Sequence, residues 1–580
     1  MKKILGFVFI MLSVMCIRVP LAGEAAVRYE TTAIKGKTSV NRSAGNYSGN
    51  WSEPSRSFLY HNADGTYNRV ECIGKYIYSE IYTADFKYKS RKKIKLELPV
   101  WGGVYMSGDA YYVMLGQNNE KEKKGVSEFR LIKYNKNWKK VTSVNITDAN
   151  TTGPFEAGSC RFAQIEGNLY VRTCHKMYKS DDGLNHQASV MFRFSMTDLT
   201  VLASYTDVAN SEYSYISHSF NQFLAVGNGK LYACDHGDAF NRAITVMRFD
   251  EAPSGKGYFD NKGTVVGDVY SFYGNTGDNY TGATLGGFAV SGTHCIVVGN
   301  SVKQTKQGRN SSVRNIYTIS AEASGDLQKS EQTWITNYSS KGKRTACNPL
   351  LVQVSDQRHL LIWEEEYNGG YDRTRYVFLD GTGKKISGVG TVYMPLSDCQ
   401  PIVSGKRIVW YVTDHGAPTF YSIPVDGSAI SRPAAKTKFT KNGIVYQITK
   451  SGKAGGEVSV TGCKKSQMPK EISLNTVDYE GYRFRVTVIG KNAFKNNKKL
   501  TWVRIGTYVK KIGAGAFQGC SKINTIELGY KKYTTKNIGK KAFAKTKGLV
   551  GVGAPEKKIT AYRKLLGKRG VSPKVMFYKN

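Results

Sequence analysis

The chain has 580 residues, 41% of them hydrophobic and 12% aromatic, with 38 Tyr, 60 Gly and only 14 Pro. That length and apolar content bury substantial cores in more than one domain, and the Tyr- and Gly-rich, alternating character points to a mostly-β protein. The formal charge is +38, and the ten cysteines are scattered with no Cys-x-x-Cys pair, which excludes a zinc ribbon or a redox dithiol.

At the N-terminus, Lys2-Lys3 precede an uncharged apolar run from Ile4 to Ile17, followed by small residues around Gly23, Ala25 and Ala26. Residues 1–26 therefore read as a secretory signal peptide cleaved after Ala25 or Ala26, giving a secreted or extracellular-surface protein. The run of 14 residues is short of the ~20 that span a bilayer. Met15 stands where a lipoprotein needs a small residue before Cys16, and no later stretch is long or apolar enough to cross a membrane. No Leu-Pro-x-Thr-Gly sorting motif is present, so retention on a cell would be non-covalent. Loss of Cys16 leaves nine cysteines, read as buried single thiols, with one pair such as Cys160/Cys174 left open.

Residues 27–59 form an N-terminal extension, and residues 60–430 carry a degenerate repeat. Gly108-Asp109-Ala110-Tyr111, Gly167-Asn168-Leu169-Tyr170 and Gly229-Lys230-Leu231-Tyr232 each read as a turn entering a strand. Gly292, Gln357 and Gly405 open the next three copies, at intervals of 59, 62, 63, 65 and 48 residues. A unit of that length with three or four strands is one blade of a β-propeller, and the span holds six or seven. Gly74-Lys75-Tyr76-Ile77-Tyr78 is expected to begin a further unit or to complete the last one and close the ring. A tandem of β-sandwiches is the competing architecture.

In a propeller, equivalent loops leave on one face. The polar segments after each turn-strand block then come together: Gln117-Asn118-Asn119, His175, the Asp235-His236-Gly237-Asp238 run, Asn300, Glu364 to Glu366, and Asp414-His415-Gly416. Carboxylates and imidazoles in a ring can hold a cation (calcium is the one such oxygens suit), bind a sugar or supply acid and base groups. His175, Asp235, His236, Asp238, Glu364, Glu366, Asp414 and His415 are the candidate ligand-binding residues. The bland alternative is a set of solvated loops with capping Asp and turn Gly. No catalytic residue is named and no cofactor is expected: no Gly-x-Ser-x-Gly, His-Glu-x-x-His, P-loop or dinucleotide fingerprint occurs.

Composition shifts to Lys-rich near Ser431-Arg432-Pro433, so residues 431–442 read as a linker. Beyond it one hexapeptide recurs three times: Ile489-Gly490-Lys491-Asn492-Ala493-Phe494, Ile512-Gly513-Ala514-Gly515-Ala516-Phe517 and Ile538-Gly539-Lys540-Lys541-Ala542-Phe543. The repeat positions are Ile489, Gly490, Ala493, Phe494; Ile512, Gly513, Ala516, Phe517; and Ile538, Gly539, Ala542, Phe543, at spacings of 23 and 26 residues. Asn497, Cys520 and Thr546 follow each Phe by three, and Val503, Ile526 and Val552 by nine. Val503/Ile505 and Ile526/Leu528 alternate with polar residues, as in short strands with one buried face. Neighbouring coils bury what a single unit cannot. Pro555-Glu556 followed by Ile559, Tyr562, Leu565, Leu566 and Gly567 reads as an amphipathic capping helix.

Over residues 443–580 this pattern resembles the BspA-like leucine-rich repeats of bacterial surface proteins, whose signature is Ile-Gly-x-x-Ala-Phe. Two departures stand out: there are only three hexapeptides, and the last unit degrades after Val552. The resemblance implies a solenoid that presents a face to partners rather than one that performs chemistry.

Charge separates the two regions. Residues 431–580 hold 34 of the 83 Lys+Arg but 6 of the 45 Asp+Glu, a net +28, whereas the other 430 residues net +10. Outside a cell such a surface meets anionic wall polymers, acidic glycans, lipid head groups or a surface protein rather than a specific nucleic acid. The alternative is that Lys only keeps the solenoid soluble and its edges unpaired. The sequence reading is a surface binding or adhesion protein, a propeller for a glycan or peptide joined to a basic repeat domain. The runner-up makes the propeller a carbohydrate-active enzyme anchored by the repeats.

Overall fold

The computed structural model describes residues 27–28, 41, 52–208, 217–239, 242–257, 263–306, 311–413, 418–452 and 455–580; the expected signal peptide lies outside them. Strands dominate, and the one α-helix among the described residues is Ile559–Gly567.

Tyr, Val, Ile and Phe at alternating positions give runs that pair with their chain neighbours. Seven sheets result, over residues 57–95, 100–147, 151–205, 219–271, 283–334, 344–392 and 402–424; the first six are antiparallel meanders built on four strands, and the seventh has three there and takes its fourth from Val27–Arg28. The third is widened by Thr151–Pro154 and Gly255–Gly257. An apolar cluster joins each sheet to the next. Val70, Ile77 and Val113 lie between the first and second, Val171 and Phe192 meet Phe129 between the second and third, and the series continues through the sixth and seventh. A last cluster returns to the start, packing Tyr67, Tyr82 and Phe86 against Val409, Tyr411 and Phe420. The array is therefore cyclic and propeller-like, so no sheet has an unpacked face towards a missing neighbour.

The N-terminal segment takes part in closure. Val27–Arg28 pairs antiparallel with Thr419 and Phe420, making the outer strand of the seventh sheet. The stretch expected to be a plain extension thus supplies a strand, and the first sheet begins at Ser57. Gly74–Tyr78, expected to open a new unit or complete the last, leads into the third strand of the first sheet, Tyr76–Tyr82.

Inner strands converge because glycine lets them. A Cβ on Gly286 would lie 2.3 Å from the carbonyl oxygen of Pro349 in the next sheet, and one on Gly103 would lie 2.8 Å from the Phe162 ring.

The repeat region is a two-sided ladder. Glu471–Leu474, Trp502–Ile505, Thr525–Leu528, Gly551–Ala554 and Met576–Lys579 form one parallel sheet, in which Ile472, Val503, Ile526, Val552 and Phe577 stand in register. Opposite them Phe494, Phe517 and Phe543 stack at 5.1 and 5.6 Å with rings within 10° of parallel. After Val552 the hexapeptide fades but the ladder does not, since Met576–Lys579 adds a further rung. The helix seals that end with Tyr562, Leu565 and Leu566 buried. Upstream, Lys438–Lys441, within the expected linker, pairs with Ile444–Lys450, so the sheet that starts this region begins there.

The two regions touch directly. Arg483 of the ladder pairs with Asp372 of the sixth sheet at 2.8 Å and lies over the Tyr393 ring. The Tyr482 hydroxyl donates to the Ile430 carbonyl at 2.5 Å.

Candidate functional site

Within each sheet the second strand ends beside the start of the first, as Ser219 opposite Gly237 and Ala283 opposite Ser301 illustrate. The candidate residues therefore do gather at one end of the ring, where the inner strands begin. Most of them face inward between sheets. Asp235 is buried and bridges sheets by a forked ion pair to Arg172, with Arg172 Nε to Oδ1 at 2.9 Å. His175 is buried and meets Thr151 Oγ1 at 2.5 Å, while His236 meets Thr281 Oγ1 at 2.8 Å. Burial pushes both imidazoles down to about 3, so they are neutral at physiological pH. Asp238 is buried against half-buried His218 at 2.6 Å. Glu364 is buried and accepts from Asn348 Nδ2 at 2.7 Å and from the Leu396 amide at 2.9 Å. Glu366 is half-buried. Asp414 and His415 lie outside the described residues.

The concave feature at this end is a cavity of about 130 Å³ on the ring axis. Its walls come from Ser52 to Ser55, from the inner parts of the third to sixth sheets and from the segment before the seventh, including Arg161, Asn221, Asn300, Arg314, Asn348 and Asp398. Three asparagines give it a pattern. Asn221 donates to the Leu285 carbonyl at 2.8 Å and Asn300 to the Ala346 carbonyl at 2.9 Å, each reaching the next sheet, while Asn348 donates to Glu364. With their amides so used, the Oδ1 atoms of Asn221 and Asn348 have no protein donor. A buried acceptor without a donor is costly unless water or a ligand supplies one.

Donors stand nearby. Arg161 bonds the Gln222 carbonyl at 3.2 Å and lies 4.2 Å over the Phe223 ring. Arg314 bonds the Gly282 carbonyl at 3.0 Å, and burial lowers its pKa without discharging it. Asp398 sits at the seam where the chain enters the first and seventh sheets, accepting from the Arg56 amide at 2.8 Å and from the Ser57 hydroxyl. Burial is the main cause that lifts its carboxyl to about 6. The cavity thus offers two guanidinium groups, two open amide acceptors and one carboxyl that titrates near neutrality.

Sequence reading had singled out Asn300 but missed the others: Arg161, Asn221 and Asn348 lie within strands, and Arg314 and Asp398 in the segments just before strands, where such residues give no motif. The signal was the glycine pair Gly286-Gly287, which marks where inner strands approach closely. All nine cysteines among the described residues are free thiols, Cys160 and Cys174 included. Among the described residues no group of three or more His, Cys, Asp or Glu is arranged to hold a metal ion.

Residues 473–564 match the family model of the BspA type leucine rich repeat region, in six copies. The C-terminal part of the chain therefore carries repeats of that class, as the hexapeptides led us to expect. A search of curated proteins finds no match. Among solved structures, a leucine-rich repeat protein from Bacteroides capillosus is 19% identical, covering 25% of this chain and 98% of its own, with a TM-score of 0.19. A leucine rich cell surface protein from Faecalibacterium prausnitzii is also 19% identical, over 22% of this chain and 35% of its own, with a TM-score of 0.16. A polysaccharide lyase described as an ulvan lyase is 10% identical over 66% of this chain and 96% of its own, with a TM-score of 0.40. Identities at this level carry no activity from those proteins to this one.

Proposed function

We propose that the chain is a secreted or surface-held binding protein of two parts. The seven sheets are the blades of a propeller that Val27–Arg28 closes, and the axial cavity takes a polar group of a glycan or peptide. The repeat region docks to an anionic wall polymer, an acidic glycan or a surface protein. The observation that carries this reading is the division of charge. The ring folds most of its described candidate acids and imidazoles into internal bonds, and the cavity at its inner-strand end keeps open acceptors beside Arg161 and Arg314. The repeat region keeps its net +28 outside. Among the described residues no helix is long and apolar enough to cross a membrane.

The test is an array of glycans and wall polymers probed with the whole chain over a salt series, alongside Asn221→Ala and Arg314→Gln. Salt-sensitive capture on anionic polymers, with a second class of ligand lost in the cavity variants, is the expected result. Capture that neither salt nor the cavity variants alter would remove the reading.

A carbohydrate-active enzyme is favoured by one observation. Asp398, lifted to about 6 at the cavity, is poised as a general acid near neutral pH. Turnover of a glycan by the wild type that is lost in Asp398→Ala would establish it; a glycan set bound but never cleaved would exclude it for those substrates.

A further inference from the structure

Where the five parallel strands of the repeat ladder end, a groove of about 780 Å³ runs along their edge. Arg504, Lys531, Lys557, Lys558 and Lys579 line it, with two carboxylates among them. Both carboxylates are already engaged: Glu527 holds Arg504 at 2.8 Å and Glu556 holds Lys579 at 3.1 Å. Lys531, Lys557 and Lys558 are exposed and have no carboxylate partner among the described residues. Their charge is open to something outside the chain.

Beside the groove the outward face of the same ladder carries flat aromatic surface. Alternation buries Val503 and Ile505, so Trp502 and Arg504 point out, and the guanidinium lies 5.5 Å over the indole. Two strands along, Gly551 and Gly553 occupy the outward positions that a β-branched residue would normally fill. A Cβ on either would come within 3.2 Å of the Tyr578 ring, so the missing side chains seat that ring flat on the backbone. Tyr578 remains 36% exposed. Glycine weakens a strand, and here it falls where it displays an aromatic ring beside a row of cations.

We propose that this edge of the ladder is a binding site for an acidic polysaccharide. The faces of its sugar rings lie against Trp502 and Tyr578, and its carboxylate or sulfate groups pair with Lys531, Lys557 and Lys558. The proposal rests on the docking reading above and narrows it to one face and one ligand class. Charge alone would suit any polyanion; the aromatic surfaces select a polymer with an apolar ring face. A single-stranded nucleic acid also combines bases with phosphates, and the experiment sets it against the sugar polymer.

Titration of the full chain with polygalacturonate, a sulfated polysaccharide, neutral dextran and oligo(dT) distinguishes these. Three proteins are compared: the wild type, Trp502→Ala/Lys557→Ala/Lys558→Ala, and the control Lys464→Ala/Lys465→Ala, which removes two exposed charges elsewhere in the region. The expected result is binding to one or both acidic polysaccharides, none to dextran, a loss of roughly tenfold or more in the groove variant, and little change in the control. The carboxylated and sulfated arms identify which acid group is read. Equal weakening by both variants would overturn the groove while leaving electrostatic docking intact. Tighter binding of oligo(dT) than of either acidic polysaccharide would overturn the sugar assignment. No binding of the wild type to any polyanion would overturn the groove and the docking reading together.

Discussion

The ring and the ladder solve the same problem, burying one face of many short strands, with opposite use of polar groups. Between its sheets the ring buries Arg69 with Glu71 and Glu80, Arg172 with Asp235, and the neutral imidazoles of His175 and His236. In residues 431–580 the buried polar side chains among those described are Thr487, Asn497 and Thr546, none of them charged. The difference follows from what each strand packs against. A coil of the ladder meets a near copy of itself in register, so like stacks on like and Phe494, Phe517 and Phe543 suffice. A sheet of the ring meets a neighbour of different sequence, and directional bonds such as Arg172 to Asp235 tie that pair together. Buried charge in the ring is therefore structural, whereas among the described residues of 431–580 no charged side chain is fully buried.

The largest break of this contrast comes from removing one half of a buried pair. Arg172→Ala leaves Asp235 buried without its partner and should cost about 3–5 kcal/mol, read by denaturant unfolding of the whole chain; a cost near zero would mean that water already reaches the pair. Phe517→Ala, in the middle of the aromatic stack, should cost about 3 kcal/mol or more through the cavity it opens. Its effect should be confined to protection of the ladder strands in hydrogen exchange.

Acid should separate the two regions. His175 and His236 have pKa values lowered to about 3 in the fold, so the unfolded chain binds more protons. Their stabilisation is complete above the unfolded value of about 6.5 and is lost as pH falls from there towards 3. Asp398 acts the other way: raised to about 6, it favours the fold as pH falls from 6 towards 4. All eight histidines precede residue 431. Hydrogen exchange at pH 7 and pH 4 should accordingly show the ring losing protection first, with Thr525–Leu528 and its neighbours holding; simultaneous loss would contradict the contrast. The smallest effect on stability belongs to the surface. Lys557→Gln/Lys558→Gln should shift stability by about 0.5 kcal/mol or less, while altering what the chain binds.

These two ways of packing also explain what could be read from the chain. The ladder was legible because register repeats residues: Val503, Ile526 and Val552 pair with one another, so their spacing announces the fold. The rungs at Ile472 and Phe577 escaped notice since the end coils lack the hexapeptide. In the ring, turns such as Gly167 and Gly229 lie between first and second strands, and their intervals gave the unit. Ring closure by Val27–Arg28 was not visible, because a strand added across nearly 400 residues leaves no local pattern. The candidate residues read from the sequence stand at the end of the ring where the cavity lies, but most of those described turn inward between sheets. Asp235 and His236 alternate between sheet interfaces within their strand, and only the neighbouring sheet decides that Arg172 and Thr281 take them up. Arg314, Asn221 and Asn348 come to line one cavity through convergence of segments far apart in the chain.

The salt dependence of binding to an anionic wall polymer decides whether charge on the ladder is what partners meet. The whole chain would be titrated with that polymer from low to high salt, as wild type and in two variants that each replace four exposed lysines by Gln, one set within residues 52–413 and one within 431–580. Affinity should fall steeply with salt in the wild type and in the ring variant, and the ladder variant should bind more weakly with a shallower slope. Equal slopes in all three proteins would contradict the division of labour between ring and ladder.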